Sequence, residues 1–573
     1  MMSLSFFNAD VMSLKRVTVW MGSALFSVSV SATSSALADP QAQPSYYGTL
    51  HPFAARAIYF VLTDRFVDGD PSNNFTEQNS FDIPILLKPN HPANVGYQGG
   101  DFKGLLNNAD YVADMGFGAV WLTPIIDNPA AAFPGGDPIR LTGFGMDQGK
   151  SGYHGYWGSN FYQLDEHLPS ADLNFAQLTE RLSAHGLATI LDVVINHGSP
   201  AYSMPQPVAE FGQIFAEDGT LLADHQNLAP TQLQPQQPLH RMFARQADLA
   251  QLADFDFNDP QVLQYHLGAT LKWLEQGASA LRLDTVKHVP AEIWQRFLTQ
   301  IRLTHPNLFA FGEVYSFDPQ EIGQYTYLNE GAMSVLDFPQ KRALTAMMEQ
   351  GAGFEVLADT LYLTPFNGEQ GAQQQAASPY ANPYELATFY DNHDMSRVDT
   401  DDQGLIDAHN WLFTARGIPV IYYGSEMGFA RGKAEHLGNR NYFGQVRIEQ
   451  AKKHPVQQAL KRIAKVRQQS IALQRGLMLP LELAGDRAAF MRVYQHQNQA
   501  QQALVLLNKG DTPTRFQQQL QTGLWQEALT GVTANGTIDA VVAPHSVQVW
   551  LLDAVVQQPA LAAALAPLMP TRQ

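Results

Sequence analysis

Short apolar stretches recur along the chain between residues 54 and 423, and most of them are rich in β-branched or aromatic side chains. They are mostly continuous rather than alternating, which is typical of strands that are buried on both faces of a parallel sheet. Amphipathic segments such as 260–276 and 290–305 lie between them and predict crossover helices. The eight stretches are 57–62, 119–122, 189–194, 280–283, 308–311, 334–336, 387–390 and 419–423. Eight strand–helix units predict an α/β fold, a (β/α)8 TIM barrel.

Two regions depart from this alternation of strands and helices. Residues 198–253 follow the third predicted strand without a clear periodicity, and we expect an inserted domain there. From about residue 471 the pattern changes to alternating strands without helices, which predicts a C-terminal antiparallel β-sandwich domain that ends near residue 553. The barrel is then expected to consist of residues 54–197 and 254–470, with an Ala/Pro-rich tail at 554–573.

The first residues have the pattern of an export signal. Lys15 and Arg16 precede an uncharged stretch that ends in Ala36-Leu37-Ala38. A basic start, an apolar run and an Ala-x-Ala end predict a signal peptide, 1–38, which is cleaved after Ala38 and followed by a lead of residues 39–53. An uncleaved membrane anchor is the alternative. We expect export to the periplasm or the medium, with no membrane attachment after cleavage.

Composition limits the kinds of molecule and metal site that the protein is expected to have as partners. The 573 residues include 36 Lys and Arg against 54 Asp and Glu, which gives a net charge of −18. A chain this acidic is a poor partner for nucleic acid or an anionic membrane, whereas a neutral substrate such as a sugar stays open. Cysteine is absent, and this excludes disulfides, thiolate metal sites and cysteine nucleophiles. A structural metal would therefore need oxygen or imidazole ligands.

Polar residues follow several predicted strands, and barrel enzymes hold their active sites at the carboxyl ends of the strands. Four strings carry this pattern: Asp192-Val-Val-Ile-Asn196-His197, Arg282-Leu-Asp284-Thr-Val-Lys287-His288, Gly312-Glu313 and Asp391-Asn392-His393-Asp394. Carboxylates from separate strand ends can supply a nucleophile and a proton donor. Glycoside hydrolysis with retention requires such a pair, about 5–5.5 Å apart.

Taken in order, these four strings resemble those of the α-amylase family of glycoside hydrolases, family 13. The resemblance runs from about residue 56 to residue 553. Three shorter strings, 63–74, 99–101 and 153–157, are similar to those of bacterial cyclodextrin glucanotransferases. The resemblance implies a barrel with an inserted domain and a C-terminal domain, and an α-glucan as the substrate.

The resemblance also implies roles for the matching residues. Asp284 would be the nucleophile, Glu313 the general acid and base, and Asp394 the residue that binds sugar hydroxyls and stabilises the transition state. Asp192 is expected to orient Arg282, whose positive charge would keep Asp284 ionised. The implied substrate-binding residues are Arg282, His197, His393, Tyr156, His154, Trp157, Lys287, His288 and Tyr315. Among these, Tyr156 would stack on the sugar that is cleaved, and Lys287 would bind the sugar beyond the cut.

Two groups of oxygen-bearing residues are candidate cation sites. The first group lies within seven residues and consists of Asp68, Asp70, Asn73 and Asn74. Such a density of oxygens suits Ca²⁺, although a loop of Asx turns uses the same residues. The resemblance implies calcium here, with Asp101 and the carbonyl of Gly99 as further ligands.

The second candidate cation site would join the inserted segment to the barrel. The resemblance implies Asn196, Asp254 and the carbonyl of His288 as its ligands, with one more from the insertion. Asn196 as an ordinary hydrogen-bonding residue is the alternative. We expect one or two structural Ca²⁺ ions that brace the cleft and take no part in bond cleavage.

One position departs from the cyclising relatives, which carry a bulky aromatic residue shortly before a Leu-Ala-Asp string. The matching residue here is Ala250. Without that ring a glucan has less to curl around and water is less excluded, so we expect hydrolysis to gain over transfer. The pattern ends after the predicted sandwich, and we therefore expect no starch-binding module.

The sequence thus predicts an α-amylase, a retaining hydrolase that cleaves α-1,4-glucosidic bonds of starch or maltooligosaccharides through a glycosyl-enzyme intermediate. Two alternatives stay open within the family: a glucanotransferase, cyclising or disproportionating, and a cyclodextrin or maltogenic hydrolase. An inactive sugar-binding protein on the same barrel is an alternative from another class. A monomer is expected, while product size and the preference for chain ends or interior bonds stay open.

Overall fold

The structure is a computed structural model, and it describes residues 44–74, 95–139, 147–363 and 378–569. The predicted signal peptide lies outside these residues, so its prediction stands untested. Within the described ranges, no helix combines the length and the apolar character that a membrane crossing needs.

The described residues form strands and α-helices that are numbered here in chain order. The strands are β1 (Ile58–Val61), β2 (Ala119–Leu122), β3 (Ile126–Asp127), β4 (Asn160–Leu164), β5 (Ala188–Val193), β6 (His197–Pro200), β7 (Gln213–Phe215), β8 (Leu221–Asp224), β9 (Leu252–Asp254), β10 (Ala280–Leu283), β11 (Phe309–Gly312), β12 (Ser334–Val335), β13 (Ala387–Thr388), β14 (Ile418–Tyr422), β15 (Leu477–Ala484), β16 (Arg487–His496), β17 (Gln499–Asn508), β18 (Thr514–Glu527), β19 (Thr533–Val542) and β20 (Ser546–Leu552). The helices are α1 (Phe102–Asn107), α2 (Ala109–Asp114), α3 (Phe175–Ala184), α4 (Pro260–Glu275), α5 (Ala291–Arg302), α6 (Pro319–Gly323), α7 (Phe338–Gln350), α8 (Glu355–Ala358), α9 (Asp402–Thr414), α10 (Gly444–Ala451), α11 (Pro455–Gln469), α12 (Ile471–Arg475) and α13 (Pro559–Leu565).

Eight parallel strands form the barrel, in the order β12-β11-β10-β5-β2-β1-β14-β13. A parallel bridge between Leu336 and Ala387 brings the first and last strands of this order together. These eight strands correspond to the eight apolar stretches of the sequence, so the prediction of a TIM barrel is confirmed. Their side chains are buried almost without exception, as the continuous apolar pattern requires.

The residues at the start of two crossover helices explain where these helices begin. Helix α4 begins after Asp259, whose side chain accepts a hydrogen bond from the backbone N–H of Gln261, and Pro260 occupies its first turn. Helix α5 follows Pro290 and buries one apolar face against the barrel. Both helices correspond to the amphipathic segments of the sequence, which confirms that prediction. Helix α4 leads into β10, and α5 connects β10 to β11.

The inserted segment 198–253 leaves and re-enters the barrel at one place. Strand β6 pairs antiparallel with β9, and His197 lies opposite Asp254 in this pair. Between them β7 and β8 form a hairpin. The apolar side chains of the segment, such as Ile214 and Phe243, pack in a small cluster with barrel residues that include Val194 and Val262. The insertion therefore stands beside the carboxyl end of β5, where strand three of the barrel meets the cleft.

The C-terminal strands form an antiparallel sheet, in the order β15-β16-β17-β20-β18-β19. This agrees with the predicted antiparallel C-terminal domain, and hydrogen bonds join all six strands into one sheet. Trp411 of α9 packs against Phe490 of β16, with ring centroids 5.8 Å apart, so the sheet shares a core with the barrel. The predicted tail contains helix α13, which Pro559 begins and a run of alanines favours.

Candidate active site

A cleft of about 540 Å³ opens at the carboxyl ends of the barrel strands. Most of the side chains that the sequence singles out lie in its wall. They are Asp284, Glu313, Asp394, His154, Tyr156, Trp157, His197, Lys287, His288, Tyr315 and His393. The fold thus brings together residues that are as far apart in the chain as His154 and Asp394.

Arg282 is fully buried below the cleft and joins three acidic side chains. Its Nη1 atom lies 2.8 Å from Oδ1 of Asp192 and 2.6 Å from Oδ1 of Asp284, and its Nη2 atom lies 3.1 Å from Oε2 of Glu313. Strand register explains the arrangement, because Arg282 lies directly opposite Asp192 on the neighbouring strand β5. The predicted contact of Asp192 with Arg282 is present.

The backbone fixes the two acids that Arg282 shares. Leu283 lies opposite Gly312, so the next residue on each strand, Asp284 and Glu313, stands at the same level of the barrel. The N–H of Asp284 donates to the carbonyl of Val193, and the N–H of Glu313 donates to the carbonyl of Leu283. Both carboxyl groups therefore sit on a continuous hydrogen-bonded sheet, which is a rigid support for catalytic groups.

Thr285, the residue after Asp284, has φ of 48° in the left-handed region. A β-branched residue is rarely found there and the conformation carries strain. The turn directs the chain from the strand into the short helical segment that carries Lys287 and His288. Such strain persists only where the surrounding structure holds it, and here the N–H of Val286 donates to the carbonyl of Glu313.

Glu313 binds its proton more tightly than an ordinary glutamate does. The pKa of Glu313 is raised to about 8, chiefly because the group is buried; the charge of Arg282 opposes this, and the negative charges of Asp394 and Asp284 add to it. At neutral pH Glu313 is therefore protonated. A buried acid that holds its proton beside a second carboxyl group is the pairing that acid catalysis of glycoside cleavage requires.

Asp394 stands on the loop after β13 and is held by its neighbours. The side-chain oxygen of Asn392 accepts hydrogen bonds from the backbone N–H groups of Asp394 and Met395. Nη2 of Arg440 lies 2.8 Å from Oδ1 of Asp394, and Nε2 of His393 lies 3.2 Å from its Oδ2. Burial raises the pKa of Asp394, and the charge of Arg440 counteracts this.

Three histidines of the cleft, His154, His197 and His393, are neutral at neutral pH. Burial lowers the pKa of His197 to about 4, and it lowers the pKa values of His154 and His393 well below their usual range. A neutral imidazole carries one N–H donor and one acceptor, which suits hydrogen bonds to sugar hydroxyls. The predicted role of His197 and His393 as hydroxyl ligands is compatible with this state.

Tyr156 has two contacts within the protein that the sequence did not indicate. Its hydroxyl donates to Oδ2 of Asp192 at 2.8 Å, and its ring lies parallel to the imidazole of His393 with centroids 5.2 Å apart. Trp121 also donates to the same oxygen of Asp192, through its Nε1, at 3.0 Å. Tyr156 therefore couples the wall of the cleft to the buried Arg282 pair.

On the side of Glu313 the cleft is bordered by the loops after β10 and β11. Lys287 donates from Nζ to the carbonyl of Tyr315 at 3.0 Å, and the Tyr315 side chain is 44% exposed. His288 lies 2.8 Å from Oδ2 of Asp248 in the insertion. Ala250, the residue that matches the bulky aromatic position of the cyclising relatives, lines the cleft and has φ of 48°.

On the opposite side the cleft is bordered by charged residues that sequence reasoning missed. They are Asp147, Lys150, Glu435 and Arg440. Nη1 of Arg440 lies 2.9 Å from Oε1 of Glu435, and Nζ of Lys150 lies 3.0 Å from the same oxygen. These residues stand in long loops without periodicity or a recognisable spacing, so the sequence offered no signal beyond their charge.

The first candidate cation site contains oxygens that lack a hydrogen-bond partner within the described residues. They are Oδ1 of Asp68, Oδ1 of Asn73 and Oδ1 of Asn74, all of them buried. Gly99 packs directly on Asn74, since a Cβ there would lie 2.7 Å from its side-chain oxygen. Such a set of buried oxygens fits a hard cation.

Two other predicted ligands of this site are engaged differently. Asp101 caps helix α1, and its carboxylate also accepts the N–H groups of Gly69 and Asp70. Asp70 accepts the N–H and the hydroxyl of Ser72. These two carboxylates hold the loop in shape, which is the Asx-turn role that the sequence left as an alternative for Asp70.

The second candidate cation site lies where the insertion rejoins the barrel. Burial raises the pKa of Asp254 to about 7. Its Oδ2 accepts from the N–H of Asp248 at 2.8 Å, while its buried Oδ1 has no hydrogen-bond partner in the described part of the chain. Asn196 precedes His197, the residue opposite Asp254. An unpaired buried carboxylate oxygen beside these groups fits a cation, and Asp248 is a candidate ligand from the insertion.

The chain is similar to known enzymes over most of its length. Residues 60–475 match the family profile described as "Alpha amylase, catalytic domain". The cyclomaltodextrin glucanotransferase of Thermoanaerobacterium thermosulfurigenes is 31% identical over 388 residues, which cover 65% of this chain and 50% of that protein. The chain thus spans about half the length of that relative.

Two solved structures share the fold. A cyclomaltodextrin glucanotransferase with a three-domain ABC distribution has a TM-score of 0.68 and 28% identity, covering 87% of this chain and 99% of that one. The α-amylase of Geobacillus thermoleovorans, solved with acarbose, has a TM-score of 0.63 and 25% identity, covering 88% and 99%. With the matched catalytic domain and the barrel that carries it, these findings place the chain in the α-amylase family of glycoside hydrolases, family 13.

Proposed function

We propose that the protein is an α-amylase, a retaining hydrolase of α-1,4-glucosidic bonds in starch or maltooligosaccharides. One observation carries the proposal. A single buried guanidinium, that of Arg282, contacts Asp284 and Glu313, while burial keeps Glu313 protonated at neutral pH. The two carboxyl groups thus share one cation while Glu313 holds a proton that it can donate, as a double displacement needs.

In the first step Asp284 attacks the anomeric carbon and the bond to the leaving sugar oxygen breaks. That oxygen takes the proton of Glu313, so the leaving chain departs with a neutral hydroxyl. In the second step Glu313, now a carboxylate, takes a proton from water, and the water oxygen replaces Asp284 on the anomeric carbon. Glu313 is protonated again at the end, which completes the cycle.

Other residues of the cleft bind the sugar and stabilise the charge that develops. Asp394 would accept hydrogen bonds from hydroxyls of the sugar that is cleaved. The neutral imidazoles of His197 and His393 can donate to the same ring, and Tyr156 offers an aromatic face. Arg282 pairs with Asp284 without competing for substrate, because it is fully buried.

We also propose structural calcium at the two oxygen-rich sites. The unpaired oxygens of Asp68, Asn73 and Asn74 support the first, and that of Asp254 supports the second. A calcium ion would neutralise these oxygens and brace the loops that carry them. Chelation should then lower the melting temperature, since an ion that binds only the native state stabilises by mass action. An unchanged melting temperature of chelated protein that metal analysis shows to be calcium-free would contradict this proposal.

A glucanotransferase is the second candidate function, and the relatives favour it. The cyclomaltodextrin glucanotransferase with a three-domain distribution is similar over nearly its whole length. Ala250 argues for hydrolysis, because a methyl group in the wall of the cleft neither guides a glucan into a ring nor shields the glycosyl-enzyme from water. Ala250→Tyr should raise the ratio of transfer to hydrolysis products, and an unchanged ratio would show that position 250 does not control it.

The experiment that tests the proposal is product analysis. The purified protein is incubated with soluble starch and calcium, with Asp284→Asn as the inactive control, and products are separated by chromatography. Linear maltooligosaccharides with few rings are expected. Abundant cyclodextrins would establish the transferase instead, and no products at all would contradict both candidate functions.

A further inference from the structure

The loops after the second and eighth strands of the barrel meet over the end of β1. Lys150 lies in the segment between β3 and β4, after barrel strand β2, and Glu435 follows barrel strand β14. In the sheet, β1 lies between β2 and β14. Nζ of Lys150 is 3.0 Å from Oε1 of Glu435, so an ion pair connects the two loops at the wall of the cleft.

This ion pair is held in place from both sides. Lys150 is also 3.2 Å from Oδ1 of Asp147, and Glu435 is also 2.9 Å from Nη1 of Arg440. The Lys150 side chain is only 9% exposed and that of Glu435 is 20% exposed. The ammonium of Lys150 lies 5.6 Å from the ring centroid of Trp157. Neighbouring carboxylates raise the pKa of Lys150, so it stays charged at any working pH.

The position of the pair relative to the reacting sugar follows from the chemistry of Glu313. A general acid protonates the leaving oxygen, so the leaving chain lies beyond Glu313, on the side of Lys287 and Tyr315. The Lys150–Glu435 pair stands over β1, which lies three places from β10 and four from β11 in the ring of eight strands, and thus across the barrel from Lys287 and Tyr315. Successive contacts of 2.8, 2.9 and 3.0 Å run from Asp394 through Arg440 and Glu435 to Lys150. The ion pair therefore lies at the donor end of the cleft, a short distance past the sugar that is cleaved.

We propose that the Lys150–Glu435 ion pair closes the donor end of the cleft, so that the enzyme cuts near non-reducing chain ends and releases short products. The inference rests on the proposed hydrolase function and adds its preference along the chain. A glucan that extends further on the donor side must separate two charged groups that are largely withdrawn from water, which is unfavourable. A chain that ends at the pair leaves it intact.

The variant that tests this inference is Lys150→Ala. Glu435 keeps its contact with Arg440 in this variant, whereas Asp147 loses its cation, so the melting temperature of the variant is measured alongside its activity. Lys150→Met removes the charge but keeps most of the side-chain length, and Lys150→Arg keeps the charge. Lys452→Ala is the matched control, because Lys452 pairs with Glu449 on the exposed surface of α10, away from the cleft. Melting temperatures verify that each variant is folded.

The readout compares two substrates, 4-nitrophenyl maltoheptaoside and the same compound blocked at its non-reducing end. For the wild type we expect the blocked substrate to react at about a tenth of the rate of the free one or less, which corresponds to a difference of about 1.4 kcal/mol. Lys150→Ala and Lys150→Met should raise this ratio about tenfold and lengthen the products from free maltoheptaoside. Lys150→Arg and Lys452→Ala should behave as the wild type.

The outcomes separate this inference from the proposed function. No cleavage of either substrate by the wild type would contradict the hydrolase itself. Equal rates on both substrates, or an unchanged ratio in Lys150→Ala, would overturn the closed donor end and leave the hydrolase standing. A wild-type ratio in Lys150→Met together with a raised ratio in Lys150→Ala would overturn the ion pair, because side-chain volume alone would then close the cleft.

Discussion

Two arginines organise the acids of the cleft, and they do so in different ways. Arg282 belongs to strand β10, is fully buried and contacts three acids that are themselves almost fully buried. Arg440 belongs to a loop and bridges Asp394 and Glu435, whose side chains are 25% and 20% exposed. A charge pair with no access to water is costly to break, whereas a pair at the rim of a cleft is partly screened.

The comparison divides the site into a fixed half and an adjustable half. The half around Arg282 holds the proposed nucleophile and the proposed acid on neighbouring strands, where register sets their positions. The half around Arg440 holds the proposed sugar-binding acid and reaches Lys150 through loops. We therefore expect changes in the first half to abolish chemistry or folding, and changes in the second half to alter substrate binding.

The largest expected effect lies in the half around Arg282. Glu313→Gln removes the proton that the leaving oxygen needs, so turnover of starch should fall by about 10²–10⁴-fold. Gln keeps the size of the side chain, and the fold should persist. Steady-state rates measure the effect, and near-normal turnover would remove Glu313 from the mechanism.

Arg282→Leu tests the fixed half through stability. Asp192, Asp284 and Glu313 would lose their shared cation inside the protein, so the free energy of unfolding should fall by about 3–5 kcal/mol. Denaturant unfolding measures this. Arg416→Leu is a matched control, because Arg416 forms an equally buried pair with Asp337 outside the cleft. A comparable loss in both variants, with activity lost only in Arg282→Leu, is expected; a loss below about 1 kcal/mol for Arg282→Leu would contradict the comparison.

Arg440→Leu should have a smaller effect, and it should be kinetic. A hydrogen bond to a charged group contributes about 1.5–3 kcal/mol, so kcat/KM should fall by about 10–100-fold while the melting temperature changes little. Arg447→Leu, on the helix α10 that follows, serves as the control for loss of an arginine nearby. If Arg440→Leu unfolds the protein, the two halves of the site are equally fixed and the distinction fails.

The last expected effect concerns pH and stability. The folded protein holds the pKa of Glu313 at about 8 against an ordinary value of 4.5, so it binds this proton more tightly than the unfolded chain does. Stability is thus lost from this group as pH rises from about 4.5 to 8. Glu313→Gln abolishes the titration, and its melting temperature relative to the wild type should increase between pH 5 and pH 8. A constant difference across that range would show that Glu313 does not titrate as its burial implies.

The parts of the site that the sequence predicts are those that strands position. Asp284, Glu313 and Asp394 each follow a barrel strand, and an apolar run followed by a polar string marks that place in the sequence. Lys150, Glu435 and Arg440 could not be found in this way, because they lie in long loops and meet only through tertiary structure. The backbone conformation of Thr285 was equally hidden, since nothing in its residue type indicates a left-handed turn.

The fold itself was predictable to a similar degree and for a similar reason. Buried parallel strands require continuous apolar runs, so all eight barrel strands were visible in the sequence. The insertion was visible only as a loss of periodicity, and its hairpin and its antiparallel pair of β6 and β9 were not. The candidate cation sites were predictable in part. The close spacing of Asp and Asn in the sequence identified the oxygens, but it did not show which of them accept hydrogen bonds from the loop itself.

The pairing of β6 with β9 makes the inserted segment a replaceable module. His197 and Asp254 stand opposite each other, so the chain enters and leaves the insertion at almost the same point in space. Changes of length or sequence between these two residues leave the register of the barrel strands intact where the apolar side chains that the insertion shares with the barrel are kept. A barrel of this kind can therefore vary one wall of its cleft while the acids at its strand ends stay where they are.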